Sequence, residues 1–596
     1  MNNLDSRKQT SRELRERAAR IAYDRNNPTR QHQPNGDEAL PGRMMSFTKG
    51  LLHDDKTGLL ARESDFEVFK KSIESGDPKD FIAVPLGPGT HPVSWKSAKG
   101  NAINADVRAW ESAGAGLTFD LQGPDAQSVT MPPAPSLGSQ ELTAEMAEIY
   151  CQALLRDIPL SVFFHSGSND KVEACLSALN QLDYFKNGGR SSDGQQLNTD
   201  NVFRGFTPGD QKGPYVSQFL LTGNSGLNTR DADAEFPASA GMINYGALTI
   251  DQRVRQAAKV NYMTEWDEFI DVQNGADFRR LEKYEGEKRR FITTGRDLAT
   301  YVHYDALYEA YLNACLLLLS APLETDDGTV SRFDKGVPFQ KRDLFDKQEG
   351  FAHYGGPHIL TLVTEAATRA LKAVRYQKFN VHRRLRPEAF AARMEKCDPI
   401  LKSVKWGDSG KLRQSYDDLE NAGIFNLLRA ENGKNLLLPM AFCEGSPMHP
   451  SYGAGHATVA GACVTILKAF FNHELYVNIS EDGSTFSLGT YPSGFAFIPD
   501  DQGQTLEVVQ TEDLKVQDEL NKLAANISIG RNWAGVHYYS DYKDSLLLGE
   551  EIAIGILQEQ SITYNKKEKF FLTLPKFNGE EITISGEAYA ELLTGI

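Results

Sequence analysis

The chain has 596 residues, 64 Lys and Arg against 80 Asp and Glu, and a formal charge of −16. With no basic face visible, that balance excludes a nucleic-acid binder, which must displace counterions from phosphates. With 40% apolar residues the chain can bury a large core, yet its longest apolar stretches, around 316–319 and 459–471, fall short of the ~18 residues that a membrane span needs.

Residues 1–60 read as a polar arm with one helix over 11–25. No apolar segment follows the start of the chain, so no secretory signal is expected, and the compartment stays open between the cytoplasm and unconventional export. Residues 78–140 are rich in Pro and Gly and read as loop. Apolar positions at three- and four-residue spacing predict helices over 141–157 and 171–185, then a second loop region follows over 187–245. From Thr249 onward helices are expected to dominate, over 297–320, 357–376, 459–471 and 514–529, with 403–434 a polar surface excursion. Asn578-Gly579, flanked by 570–577 and 580–585, predicts a C-terminal hairpin on a two-residue turn. Six scattered cysteines give no disulfide framework.

Three segments gather cations and imidazoles in apolar surroundings. The first holds Arg375, Lys378 and Arg386-Pro387; proline disfavours helix at the preceding residue, so the chain is expected to turn there and bring Lys378 and Arg386 together. The second, 445–456, runs through His449 and Gly453-Ala454-Gly455-His456 into an apolar helix, whose free N–H groups and dipole suit an anion. The third, 529–541, contains Arg531, a planar fork for oxyanion oxygens, then His537, with Asp541 within helical reach of it.

Together these segments resemble the superfamily of vanadium-dependent haloperoxidases and type 2 acid phosphatases, whose signature runs Lys…Arg-Pro, Pro-Ser-Gly-His, Ser-Arg…His…Asp. The strings at 378–387, 445–471 and 530–541 are similar to those of red-algal and cyanobacterial vanadium bromoperoxidases. So are Asp-Leu-Gln-Gly-Pro-Asp-Ala-Gln at 120–127 and the run 305–315. The resemblance implies an all-α fold of two four-helix bundles with long loops and a small C-terminal hairpin. It also implies four regions: an arm and loop region over 1–140 making subunit contacts, helical packing over 141–295, a vanadate-binding core over 296–565 and a hairpin tail over 566–596.

The activity so implied is vanadate-dependent oxidation of bromide (and iodide) by hydrogen peroxide, with halogenation of small organic acceptors. His537 would bond vanadium, Lys378, Arg386, Arg531 and the Gly455 N–H would hold its oxygens, and His456 would be the acid–base partner. Lys378, His456 and His537 are thus the expected catalytic groups, and His449 with Arg375 the halide pocket. The same likeness implies a calcium loop at Phe339, Lys341, Asp343, Asp346 and Gln348, and a homo-oligomer as large as a dodecamer. The alternative is an acid phosphatase with His537 as nucleophile in the same pocket. One position departs from the signature: Ala454 stands where serine is usual, which removes one hydroxyl donor to the oxyanion.

Overall fold

The computed structural model describes residues 4–25, 31–87, 108–164, 167–190, 196–224, 236–279, 281–324, 330–340, 347–403 and 409–586. Eight helices position the site. Helix α1 spans Gln140–Leu155, opened by Ser139, whose hydroxyl accepts from the Leu142 N–H. Helix α2 (Gly295–Tyr304) begins on a capping box of Thr294 and Asp297, which satisfies two of the N–H groups that every helix start leaves free. After a break come α3 (Glu309–Ser320) and α4 (Gly356–Tyr376). Helix α4 runs on into a wider π-type turn over Gln377–His382, which Arg383 ends at φ 40.

Helix α5 (Pro387–Glu395) has proline at its first position, where the missing N–H costs nothing. Helix α6 (Gly455–Phe470) is buried on nearly every face, as its run of Ala, Val, Ile and Leu requires. It packs against α4, α7 (Val516–Trp533) and α8 (Tyr539–Ser561). Small residues set the closest approach. A Cβ on Gly461 would sit 2.0 Å from the Leu546 carbonyl, and one on Gly549 2.0 Å from that of Thr458.

Several expectations need correction. The chain is rich in helix but not all-α, for short antiparallel pairs join Met242–Tyr245 to Leu248–Asp251, Val254–Ala257 to Tyr284–Arg290, and Phe495–Pro499 to Leu506–Gln510. A three-stranded sheet joins Leu323–Glu324, Phe486–Gly489 and Tyr476–Ile479. Strands this short hold too few residues for an apolar alternation to stand out from loop. The stretch read as a surface excursion forms two helices, Ser409–Asn421 and Ile424–Glu431. They bury Leu412, Leu419, Ile424, Phe425 and Leu428, whose three- to seven-residue spacings the surrounding charges obscured. The helix expected over 171–185 stops at Leu179 and resumes over Asp183–Lys186.

The N-terminal helix spans Leu4–Asp24. The C-terminal hairpin is present, Phe571–Pro575 against Glu581–Ser585, but its turn closes from the Lys576 carbonyl to the Gly579 N–H (3.0 Å), with Gly579 following at φ 85 rather than inside a two-residue turn. It docks on the bundle through Phe577, whose N–H donates to Glu550 Oε1 at 2.7 Å. Among the described residues no helix is long and apolar enough to cross a membrane.

The α6–α8 contact makes a prediction. Gly549→Ala forces a methyl into the Thr458 carbonyl and is expected to lower stability by about 1–3 kcal/mol. Gly410→Ala, in a helix where an added Cβ meets nothing within 4 Å, is expected to be neutral or stabilising by up to ~1 kcal/mol. Urea denaturation of the two variants checks the pair.

Candidate active site

The three cationic segments converge. Arg375, His449, Gly455, His456, Arg531 and His537 line one cleft of about 470 Å³. Lys378 and Arg386 are fully buried beside it and hold its walls from within. Lys378, on the π-turn after α4, donates to the carbonyls of Pro450 (2.6 Å) and Ser451 (3.0 Å). Burial first, then Arg386 and Arg375, press its pKa well below that of an ordinary lysine.

Arg386 is extended (φ −84, ψ 156), as the following proline demands. Four of its five N–H groups have partners: Nε donates to the His449 carbonyl (3.0 Å), Nη1 to the Val536 carbonyl (2.7 Å) and His537 Nε2 (3.0 Å), and Nη2 to His449 Nδ1 (2.9 Å). A guanidinium only donates, so both imidazole nitrogens facing it must accept. His537 therefore carries its proton on Nδ1, which donates to Asp541 at 2.7 Å. His449 carries its proton on Nε2, 3.4 Å from Glu111 Oε2. Both rings are neutral, and their pKa values lie well below the usual imidazole range, through burial and then Arg386 for His537, and through burial and then Lys378 for His449.

Asp541 lies in the first turn of α8 and is fully buried. It accepts from His537, from the Tyr538 N–H (3.1 Å), from Arg384 Nη1 (2.9 Å) and from the Ser451 hydroxyl. Desolvation opposes its charge, but Arg384, His537 and Ser451 hold its pKa well below the usual carboxylate range. Ser451 is thereby committed and does not stand in for the serine absent at position 454. The Ala454 side chain caps nothing, although the residue occupies the position before α6.

The C-terminal turn of α2 supports the opposite wall. The Val302 carbonyl accepts from Arg531 Nη1 at 2.8 Å, and Asp305 accepts from His456 Nε2 at 3.0 Å. Asp305 takes up this position because the helix expected to run through 297–320 breaks here, with Leu307 at φ 43. Burial lowers the His456 pKa while Asp305 pulls it up, and burial brings Arg531 down to about 10 and Arg386 to about 9.

Arg375 is not a free cation, since Nε and Nη2 grip Glu111 at 2.6 and 2.7 Å. Glu111 thus joins the two residues of the expected halide pocket. Nothing in its loop sequence marks it. Asp305 could have been found from the likeness over 305–315, which carried no role for it.

Of the expected calcium loop, Lys341, Asp343 and Asp346 lie outside the described residues. Phe339 is described, at φ 62, with its ring 6.0 Å from that of His353. It borders a separate cleft of about 650 Å³ that contains none of the oxyanion residues. Gln348 is exposed.

The chain has relatives over nearly its whole length. It is 44% identical to the vanadium-dependent bromoperoxidases of Corallina pilulifera and Corallina officinalis, over 98% of its length and 99% of theirs. It is 31% identical to that of Ascophyllum nodosum, over 92% of this chain and 87% of that one. The chain belongs to the vanadium-dependent bromoperoxidase family. A family domain described as the VCPO second helical-bundle domain matches residues 426–564. A solved structure of the second vanadate-dependent bromoperoxidase of Ascophyllum nodosum, described as homohexameric, superposes with a TM-score of 0.78 at 25% identity, covering 98% of this chain and 92% of that one.

Asp541 also gives a pH test. A carboxylate whose folded pKa is depressed contributes stability that is present above its unfolded pKa, near ~3.9, and lost as pH falls toward the folded value. Asp541→Asn leaves Arg384 short of a buried partner and is expected to cost about 3–5 kcal/mol at neutral pH. The gap from the parent should shrink as pH falls below about 4, where Asp541 of the unfolded parent takes up a proton while the folded carboxylate stays charged. Urea unfolding at the two pH values measures this, and an equal gap at both would contradict the ion pair.

Proposed function

We propose that this protein binds vanadate at His537 and uses hydrogen peroxide to oxidise bromide, Br⁻ + H₂O₂ + H⁺ → HOBr + H₂O, for halogenation of organic acceptors. The observation that carries the reading is His537 itself: a neutral ring, pinned through Nδ1 to Asp541, keeps Nε2 as a lone-pair donor among buried cations, where it accepts from Arg386 and would bond vanadium once Arg386 turns to the oxyanion. The donor set fits a tetrahedral oxyanion of two to three negative charges. Lys378, Arg386 and Arg531 supply positive charge that burial otherwise penalises, and Arg531 Nε and Arg375 Nη1 are buried without a partner. Gly455 leaves space, since a Cβ there would meet Arg375 Nη1 at 3.2 Å. The start of α6 adds N–H groups and a favourable dipole.

When bound, vanadate supplies a Lewis-acidic centre on which peroxide is activated toward halide. The remaining N–H groups of Lys378 and Arg531 stabilise negative charge that develops on oxygen. His456, with Nε2 held by Asp305, exchanges a proton through Nδ1 as peroxide enters and product leaves. His449, neutral and fixed between Arg386 and Glu111, offers halide a polar wall without binding it as a permanent salt.

The homohexameric description of the Ascophyllum relative supports a homo-oligomer here. The likeness to the algal enzymes supports two four-helix bundles, with α4, α6, α7 and α8 as one of them. The calcium loop is kept as part of the same reading, with the ligands named above.

Bromination of monochlorodimedone tests the activity. It is expected to depend on added orthovanadate and to fall by about 10²-fold or more in Lys378→Ala. Turnover of p-nitrophenyl phosphate without peroxide, alongside bromination that ignores vanadate, would overturn the reading. Ala454→Ser restores a hydroxyl beside the oxyanion and is expected to tighten vanadate binding by about 10-fold or more, equivalent to the ~1.5 kcal/mol of a hydrogen bond to a charged group. The same change should add a helix cap worth ~1 kcal/mol. Vanadate titration and thermal melting read these two effects separately.

A further inference from the structure

One wall of the cleft carries a second group of ligating side chains that the oxyanion chemistry does not use. Glu282, His303 and Glu444 each present one ligand atom, and the three atoms lie within 4.8 Å of one another. His303 Nε2 is 2.7 Å from Glu444 Oε1, and its ring is stacked on Phe442 at 3.7 Å and 13°, which fixes the direction of the nitrogen. Glu444 is buried while Glu282 and His303 are half-buried, and all three line the cleft, so an entry path and outward-facing coordination positions exist.

Among the described residues, the cations next to Glu444 reach its backbone rather than its carboxylate: Lys49 and Arg108 donate to the Glu444 carbonyl at 3.0 and 3.3 Å. Two carboxylates face one imidazole, which neutralises only one of them even when protonated. The arginines lining the same cleft are engaged elsewhere: Arg279 with Asp277 (2.9 Å), Arg375 with Glu111, and Arg531 with the Val302 carbonyl. The Cys443 thiol, 3.6 Å from Glu444 Oε2, donates to the Phe278 carbonyl at 2.9 Å and sits behind the group rather than in it.

We propose that Glu282, His303 and Glu444 form a binding site for a divalent transition-metal ion of zinc-like softness. One imidazole and two carboxylates with further positions open to water suit zinc, whereas calcium and magnesium prefer an all-oxygen set. Metal–ligand bonds of ~2.1 Å place tetrahedral ligands ~3.4 Å apart, so the site needs only side-chain rotation to close. The ion would cancel two negative charges on the wall facing His456 and Arg531 and so ease the entry of anions.

Calorimetric titration of the full-length, orthovanadate-treated protein with zinc chloride tests the site. One saturable site per chain is expected, weakened at least ~10-fold by Glu282→Gln and by His303→Gln, together with a zinc-dependent rise in melting temperature in the parent alone. Melting of Glu282→Gln without zinc is expected to match the parent's, whereas His303→Gln, which loses the 2.7 Å bond to Glu444, is compared with its own zinc-free melting point. Absence of saturable binding in the parent, or binding of parental strength in both variants, would overturn the proposal. Because binding is read directly, that outcome is distinct from a failure of the peroxidase reading, which turnover decides.

Discussion

A single guanidinium organises the site. Arg386 can only give protons, and by facing Nε2 of His537 and Nδ1 of His449 it forces each ring to be neutral and to carry its proton on the far nitrogen. The far nitrogens then meet Asp541 and Glu111, so each carboxylate receives one of its donors through the orientation that this one side chain imposes. Proline at 387 makes the arrangement possible by holding Arg386 extended rather than helical.

Gathering Lys378, Arg386 and Arg531 in a buried space is unfavourable in isolation, and their lowered pKa values express this. The protein offsets it in two ways. Carbonyl oxygens of Val302, Pro450, Ser451 and Val536 take many of the N–H groups. Buried carboxylates sit just behind: Asp541 and Glu145 on Arg384, and Glu388 on Lys49. What is left over is positive potential directed into one cleft, in a chain that is acidic as a whole.

The long helices and the chemical cluster were readable because each leaves a local mark. Apolar periodicity placed α4, α6 and α7, Arg-Pro marked the turn at 386, and the i,i+4 spacing of His537 and Asp541 is a bond in the structure. Apart from the C-terminal hairpin, the strands were not readable: four residues, as in Met242–Tyr245 and Leu248–Asp251, are too few for a period to emerge. The break at Asp305 was also hidden: no glycine or proline marks it, and the hydrogen bond with His456 that it makes possible joins residues 151 positions apart. Glu111 was invisible for a related reason, since its partners lie 264 residues away in sequence or more.

The end of α2 ties separate functions to one turn of backbone. Within four residues it supplies the carbonyl that steadies Arg531, the imidazole of the Glu444 pair and the carboxylate that holds His456. These three supports cannot be adjusted one at a time. Evolution can tune the side chains around them, but any change of chain length within 302–305 re-registers these supports relative to one another. A stretch with no conformationally special residue is in this way as constrained in length as a tight turn.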